Sequence, residues 1–269
     1  MKRYNRVLTI AGSDSGGGAG IQADIKAISA CGCFATSAIT AITAQNTIGV
    51  TDIHPIPTIT LKNQIQAVLE DIGTDSVKIG MLHNSETIRA VYEMLQKFDV
   101  TNVVLDPVMV ATSGNTLLQE EAINTLKDLL LPAARVITPN IPEAEILLGK
   151  KIMHQKDLPG FAKELSMDGK VSVFLKAGHM SDDELIDIFY NAETNETIEL
   201  KSKRIYSKNT HGTGCTLSSA LAAFIAQGLA LNEAAACAKD YINNAIINGA
   251  DYHIGEGHGA VKHFYKFWE

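Results

Sequence analysis

The sequence predicts an α/β fold, an open sandwich in which one mostly parallel sheet is covered by helices on both faces. Three observations carry this expectation. Short apolar runs alternate with longer helical patterns along most of the chain. Each such alternation implies a crossover that leaves consecutive strands parallel. Between residues 182 and 203 the rhythm changes to two strand-like runs around 191–196, which predicts a hairpin forming an antiparallel edge of the same sheet.

Residues 7–11 read as the first strand and 19–30 as the helix that follows it. The pairing repeats at 77–79 with 86–98, at 103–105 with 119–130, and at 135–138 with 144–149, and a further strand over 171–175 closes on Lys176. These strand runs are short and largely apolar, and their alternation with helices implies a sheet covered on both faces. The stretch 38–57 alternates small and branched residues and is expected to lie partly outside the main sheet. The last third is helical: Leu217, Ala220, Leu221 and Phe224 stand at i, i+3, i+4 and i+7 and make one apolar stripe. A second helix is expected over 232–248. No Pro/Ser-rich linker, low-complexity tract or fixed-period repeat interrupts the pattern, so one domain over 1–269 is expected.

Composition narrows the function classes. With 46% hydrophobic and 20% charged residues the 269-residue chain can bury a sizeable core. Its net charge of -7 is spread along the chain with no basic block to neutralise a phosphate backbone, which argues against nucleic acid as a partner. Cys31, Cys33, Cys215 and Cys237 are too few and too irregular for a disulfide framework, and Cys31-Gly32-Cys33 lacks the second pair a zinc site would want. A reducing cytoplasm fits. The apolar run 7–12 is too short for a secretory segment or a membrane span, so no membrane partner is expected.

Chemistry concentrates at the ends of the predicted strands. The glycine-rich segment 12–20 joins the first strand to the first helix, where a backbone without side chains can approach a ligand closely. The third glycine of a dinucleotide fingerprint would fall on Ile21, and no Gly-Lys-Ser/Thr follows, so neither that fingerprint nor a Walker loop is present. Asp24 shares a helical face with Ile21, Ile25 and Ile28 and needs a partner there. It is either half of an internal ion pair, a cap for a neighbouring turn, or a polar anchor for a ring amine or hydroxyl. Gln45, at the end of the run 39–44, can offer its amide to a ring edge as donor and acceptor at once.

The strongest local signal is NTHGTGCT at 209–216, which runs into the amphipathic helix. Gly212, Thr213, Gly214 and Cys215 can aim backbone N–H groups at one point, where the helix dipole adds about half a positive charge. Such an anion hole suits the oxygens of a transferring phosphate. The same field would favour the Cys215 thiolate and bring its pKa down towards the operating pH, making it a proton acceptor for an alcohol; the plain alternative is a small buried residue at a helix start. His211 reads as a turn residue without a role. Asp106, Asn140, Glu143 and Lys176 all follow strands, where ligands of open α/β sheets collect. The carboxylates suit a Mg²⁺ that keeps several waters, and Lys176 can balance phosphate charge.

These motifs resemble the hydroxymethylpyrimidine and phosphomethylpyrimidine kinases of thiamine biosynthesis, a branch of the ribokinase-like superfamily that also contains pyridoxal kinases. The resemblance spans nearly the whole chain. It is carried by AGSDSGGGAGIQAD at 11–24, TAQN at 43–46, KIGML at 78–82, LDPVM at 105–109, TPNIPE at 138–143, NTHGTGCTLSS at 209–219 and GEGHG at 255–259. It implies a three-layer α/β/α ribokinase-like fold, a homodimer, and phosphorylation by Mg-ATP first of an aminopyrimidine alcohol and then of its monophosphate. It further implies that Asp24 and Gln45 anchor the ring, with Gly12, Ala19, Met81 and Val108 lining its pocket. Cys215 then looks like the base or a positioning group beside the anion hole at 212–214. Asp106 and Glu143 look like metal-side carboxylates, and Lys176, Asn140, Thr210 and Lys239 like nucleotide contacts. Most of the superfamily places an aspartate where this chain has Cys215. A pyridoxal or pyridoxine kinase is the alternative within the same chemistry, with Gln45 and Met81 favouring the pyrimidine. A non-catalytic heterocycle-binding protein is the alternative outside it.

Overall fold

A computed structural model describes residues 2–109 and 120–268. Nine strands form one sheet in the order β3-β2-β1-β4-β5-β6-β7-β8-β9. Strands β1 (Arg6–Asp14), β2 (Phe34–Gln45), β4 (Ser76–Ile79), β5 (Val103–Leu105), β6 (Val136–Ile137) and β7 (Ser172–Leu175) are mutually parallel. The hairpin of β8 (Glu184–Asn191) and β9 (Glu196–Lys203) closes one edge in antiparallel register, as the change of rhythm predicts. At the opposite edge β3 (Val50–Pro55) pairs antiparallel with β2. The stretch 38–57 therefore belongs to the sheet rather than lying partly outside it. Its alternation fits an edge with one wet face: Ile42 is exposed, while Ala41 and Thr43 on either side of it are buried.

Helices cover both faces. On one side lie α2 (Thr58–Ala67), α3 (Ser85–Lys97), α4 (Glu120–Thr125), α5 (Leu131–Ala133), α6 (Ile141–Leu148) and α7 (Leu158–Leu165); on the other lie α1 (Gly20–Ala30), α8 (Thr213–Ala226) and α9 (Leu231–Gly249). The two-residue period of the strands sorts the core between them. Leu8, Val103, Leu105 and Val173 pack towards α2, α3, α6 and α7, whereas Val7, Val104 and Phe174 pack towards α1, α8 and α9. Each such fully buried aliphatic side chain contributes about 1.5–3 kcal/mol.

Three predicted helices differ in detail. The helix expected over 119–130 begins, among the described residues, at Glu120 and passes through a π turn at Leu126–Leu130 into α5; Gln119 lies outside the described residues. The helix expected from 144 starts at Ile141, because Asn140 caps it: its side chain accepts the Glu143 N–H while the Glu143 carboxylate accepts the Asn140 N–H. Helix α8 is not a one-stripe helix. It lies between α1, α9 and the sheet, so Ser218 and Ser219 are buried with its leucines and alanines, while Phe224 is only half-buried.

Candidate active site

The carboxyl ends of β1, β2, β4, β5, β6 and β7 open into one cavity of about 810 Å³. It lies where the strand order reverses around β1, the place at which open α/β sheets collect ligands. The glycine-rich segment leaving β1 and the turn entering α8 form facing walls. They touch. A side chain at Gly212, whose φ is 76°, would overlap the Gly18 carbonyl oxygen, and one at Gly18 would overlap the His211 ring. The turn is braced from behind by the GEGHG segment, where the His211 N–H donates to Gly259 O at 3.0 Å, and by the end of α9, where the Asn209 amide donates to Gly249 O at 2.7 Å.

The glycine-rich loop is wound around Asp14. Its carboxylate accepts the N–H groups of Gly16, Gly18 and Ala19 at 2.8, 3.1 and 2.8 Å, and its Oδ2 lies 2.9 Å from His211 Nε2. Burial works to raise the Asp14 pKa, but the His211 contact and the loop N–H groups outweigh it and hold the carboxyl below the usual carboxylate range. The Gln45 side-chain amide spans the neighbouring wall, 3.2 Å from His211 Nε2 at one end and 3.2 Å from Thr43 Oγ1 at the other.

Cys215 sits in the first turn of α8, where N–H groups have no partner within the helix. The N–H of Gly20, the first residue of α1, also acts on the thiol and eases its ionisation. The expected depression of its pKa is nevertheless reversed. Burial pushes the thiol up to about 11, aided by Asp24 and Asp106, and Lys78 and the Gly20 N–H only partly offset this. In the ligand-free site the group is a neutral thiol.

A second cluster stands beside that turn. Lys176 Nζ lies 2.9 Å from Asp106 Oδ1 and 4.0 Å from Glu143 Oε2, and a Cβ at Gly214 would stand 3.2 Å from the same ammonium. Thr138 Oγ1 donates to Asp106 Oδ1 at 2.9 Å. Burial tends to raise the Asp106 pKa, yet Lys176 and Lys78 bring it below the usual range, whereas burial and the Asp106 charge push Glu143 up to about 7 against the pull of Lys176. Among the described residues no group of three or more His, Cys, Asp or Glu side chains forms a metal cage. Two carboxylates converging on one ammonium fit a Mg²⁺ held chiefly by phosphate oxygens and water.

Most of the predicted residues meet here. Gly12, Ala19, Gln45, Met81 and Val108 line the cavity. Asn140, Lys176, Thr210 and Lys239 line it too, with Asp106, Glu143 and the turn from Gly212 to Cys215. Lys239 Nζ is held at 2.8 Å by Asp187, and the Asn140 oxygen is committed to its cap. Asp24 is the exception. It and Lys78 are both 0% exposed, with Lys78 Nζ 2.8 and 2.9 Å from its two oxygens, and Thr9 and Ser219 donate to it. It does not border the cavity; the internal ion pair, not the ring anchor, describes it. Sequence reading missed Asp14, Lys78 and His211 as cavity residues. The signals were an acidic residue inside a glycine run and a lysine inside the apolar strand 76–79.

A glycine-rich strand end facing an amide-rich helix start, with a lysine and two carboxylates between them on a mixed sheet covered on both faces, defines a ribokinase-like phosphotransferase. Comparison narrows the class. The family described as phosphomethylpyrimidine kinase matches residues 14–262. The hydroxymethylpyrimidine/phosphomethylpyrimidine kinase of Haemophilus influenzae is 48% identical over 98% of each chain. A phosphomethylpyrimidine kinase from Clostridium difficile, 43% identical, superposes with a TM-score of 0.79 over 90% of this chain and 99% of its own. The Staphylococcus aureus pyridoxal kinase in complex with AMP-PCP and pyridoxal, 31% identical, superposes with a TM-score of 0.89 over 99% of this chain and 96% of its own. The chain belongs to the phosphomethylpyrimidine kinase family.

Proposed function

We propose that this protein transfers the terminal phosphate of ATP to the hydroxymethyl group of 4-amino-5-hydroxymethyl-2-methylpyrimidine, and then phosphorylates the resulting monophosphate, in thiamine biosynthesis. The observation that carries the proposal is the shared cavity: Gln45 and the turn at 212–214 line the same space. Gln45 reads a ring edge that pairs an amine with a ring nitrogen, since an amide donates and accepts side by side. Gly12, Ala19, Met81 and Val108 enclose the ring. The turn at Gly212, Thr213 and Gly214 gathers the phosphate oxygens, with Lys176 beside it as a fixed positive charge. Thr210, Asn140 and Lys239 serve the nucleotide.

Cys215 acts through position. A thiol kept neutral cannot accept a proton from the alcohol in advance, and loose phosphoryl transfer does not demand that it should. It holds the hydroxyl where the N–H groups converge. Asp106 and Glu143 would hold Mg²⁺, which supplies charge neutralisation to the phosphates when bound. We further infer one kinase domain over 1–269, working as a homodimer in the cytoplasm; the four cysteines, all unpaired, agree with a reducing compartment.

The test is ADP release measured with the pyrimidine alcohol, its monophosphate and pyridoxal in parallel. Turnover of both pyrimidines with higher kcat/KM than pyridoxal is expected. Pyridoxal turned over more efficiently would replace this reading with a pyridoxal kinase, which the likeness to the Staphylococcus aureus enzyme makes the second candidate.

A further inference from the structure

His211 meets two groups through one nitrogen. Its Nε2 lies 2.9 Å from Asp14 Oδ2 and 3.2 Å from Gln45 Nε2, while Gln45 Oε1 lies 3.2 Å from Thr43 Oγ1. The two ends of an amide differ by a half-turn, and the protons around it decide which way it stands.

Asp14 is ionised, and an ionised carboxylate only accepts. Its contact with Nε2 therefore requires the imidazole proton on that atom, in the singly or the doubly protonated ring alike. A protonated Nε2 cannot accept an amide N–H, so the end of Gln45 facing it must be the oxygen. The other end gives the same answer independently. Thr43 Oγ1 spends its only proton on Ser13 O at 2.8 Å, so towards Gln45, at 3.2 Å, it can only accept, and the amide nitrogen must face it. With the amide as placed, Nε2 towards His211, two N–H groups meet at the imidazole while two oxygens compete for one threonine proton, so the amide must be turned by a half-turn. In the favoured sense no two donors face each other, and the second amide N–H is left for a ligand.

We propose that His211 is a positioning residue that fixes the direction of the Gln45 amide and thereby makes the ring pocket selective for an amine beside the hydroxymethyl group. The proposal rests on the aminopyrimidine reading above. His211 immediately precedes Gly212, so the amide end next to it is the end nearest the phosphate-gathering turn. A ring amine giving its proton to Gln45 Oε1 stands on that side, and the amide N–H meets the ring nitrogen. The hydroxymethyl group next to the amine is then carried to the turn. A 4-oxo ring offers the opposite polarity, an N–H and a carbonyl, and a pyridine ring has no amine beside its hydroxymethyl group.

Two measurements test this. The first is kcat/KM for the 4-amino alcohol and for its 4-oxo analogue in wild type, His211→Leu and His211→Gln. Sites built to hydrogen-bond a substrate reject the mismatched analogue by roughly 10⁴-fold. Wild type should show strong preference for the amine, His211→Leu should lose at least about tenfold of the ratio as the amide becomes free to turn, and His211→Gln, which again supplies an N–H, should restore it. Equal losses on both substrates, with the ratio unchanged, would mean a merely structural histidine and overturn the proposal. The second is the nitrogen NMR spectrum of the wild-type imidazole, which needs no substrate and no variant. Nε2 of His211 should carry the proton; an unprotonated Nε2 overturns the orientation argument. A wild type that turns over pyridoxal but not the aminopyrimidine sinks the selectivity proposal through its premise, and the spectrum then shows separately whether the amide orientation stands.

Discussion

The backbone N–H of Gly20, at the start of α1, acts on the Cys215 thiol in the first turn of α8 and favours its ionisation. The proximity of two helix starts would by itself favour a thiolate, but burial dominates and the thiol rises to about 11. At pH 8 the thiolate is thus on the order of one part in a thousand. Iodoacetamide labelling of Cys215, followed by peptide mapping to separate it from Cys31, Cys33 and Cys237, should accelerate about tenfold per pH unit up to that value. A rate already level at pH 7 would return Cys215 to the role of general base. Cys215→Ala is expected to lose turnover while ATP binding is retained.

Asp24 and Lys78 form a fully buried pair that ties β1, α1, β4 and α8 together through Thr9 and Ser219. Removing one partner leaves a charge uncompensated, which costs about 3–5 kcal/mol. Asp24→Leu should therefore lower the urea midpoint strongly, and Asp24→Leu with Lys78→Met should recover part of the loss. A selective rise in KM for the ring alcohol, with stability intact, would instead make Asp24 a ring anchor.

Lys176 is the cation closest to Gly214, between Asp106 and Glu143. Its loss should cost kcat roughly 10²–10³-fold, the scale of removing one group that stabilises charge in a transition state. KM for the alcohol should change little, because the ring end of the cavity is left intact. Steady-state kinetics at saturating Mg-ATP separate the two effects.

Gly212 occupies a left-handed φ of 76° directly against the Gly18 carbonyl. Gly212→Ala meets both a strained backbone and an overlap with the facing loop. The expected result is a kcat fall of about 10²-fold or more, since the N–H groups of 212–214 lose their aim. Full activity in this variant would show that the turn can move away from the loop at no cost to catalysis.

The stability contribution of Glu143 has a definite sign. Its carboxyl rises from the ordinary glutamate range to about 7 in the folded chain, so this group favours the folded state most below the ordinary glutamate pKa and the benefit is lost as pH rises through about 7. In the absence of Mg-ATP, Glu143→Gln should flatten the fall in thermal midpoint between pH 5 and 8. A wild-type midpoint that rises over that interval and an unchanged slope in the variant would contradict it.

Short-range pattern was enough for much of this protein. Short, mostly apolar runs at 77–79 and 103–105 announced buried strands, and both lie within the sheet. The change of rhythm near 191–196 announced the hairpin, because a period of two needs only neighbouring residues to be read. Glycines and threonines at 210–216 announced a helix start, and α8 begins there at Thr213, since that property belongs to the local backbone.

What sequence alone could not decide was where each charge finds its partner. Asp24 looked equally fit for a ligand and for an ion pair, and only the meeting of α1 with β4 gave it Lys78, 54 positions away along the chain. His211 looked like a turn residue until the packing of 209–216 against the first loop set it between Asp14 and Gln45, 197 and 166 positions distant. The Cys215 thiol followed the same logic in reverse: its helix start was legible, its burial was not. Periodicity encodes which face of an element is apolar, but pKa and proton direction depend on groups brought together through space, and these exist only once the sheet has closed.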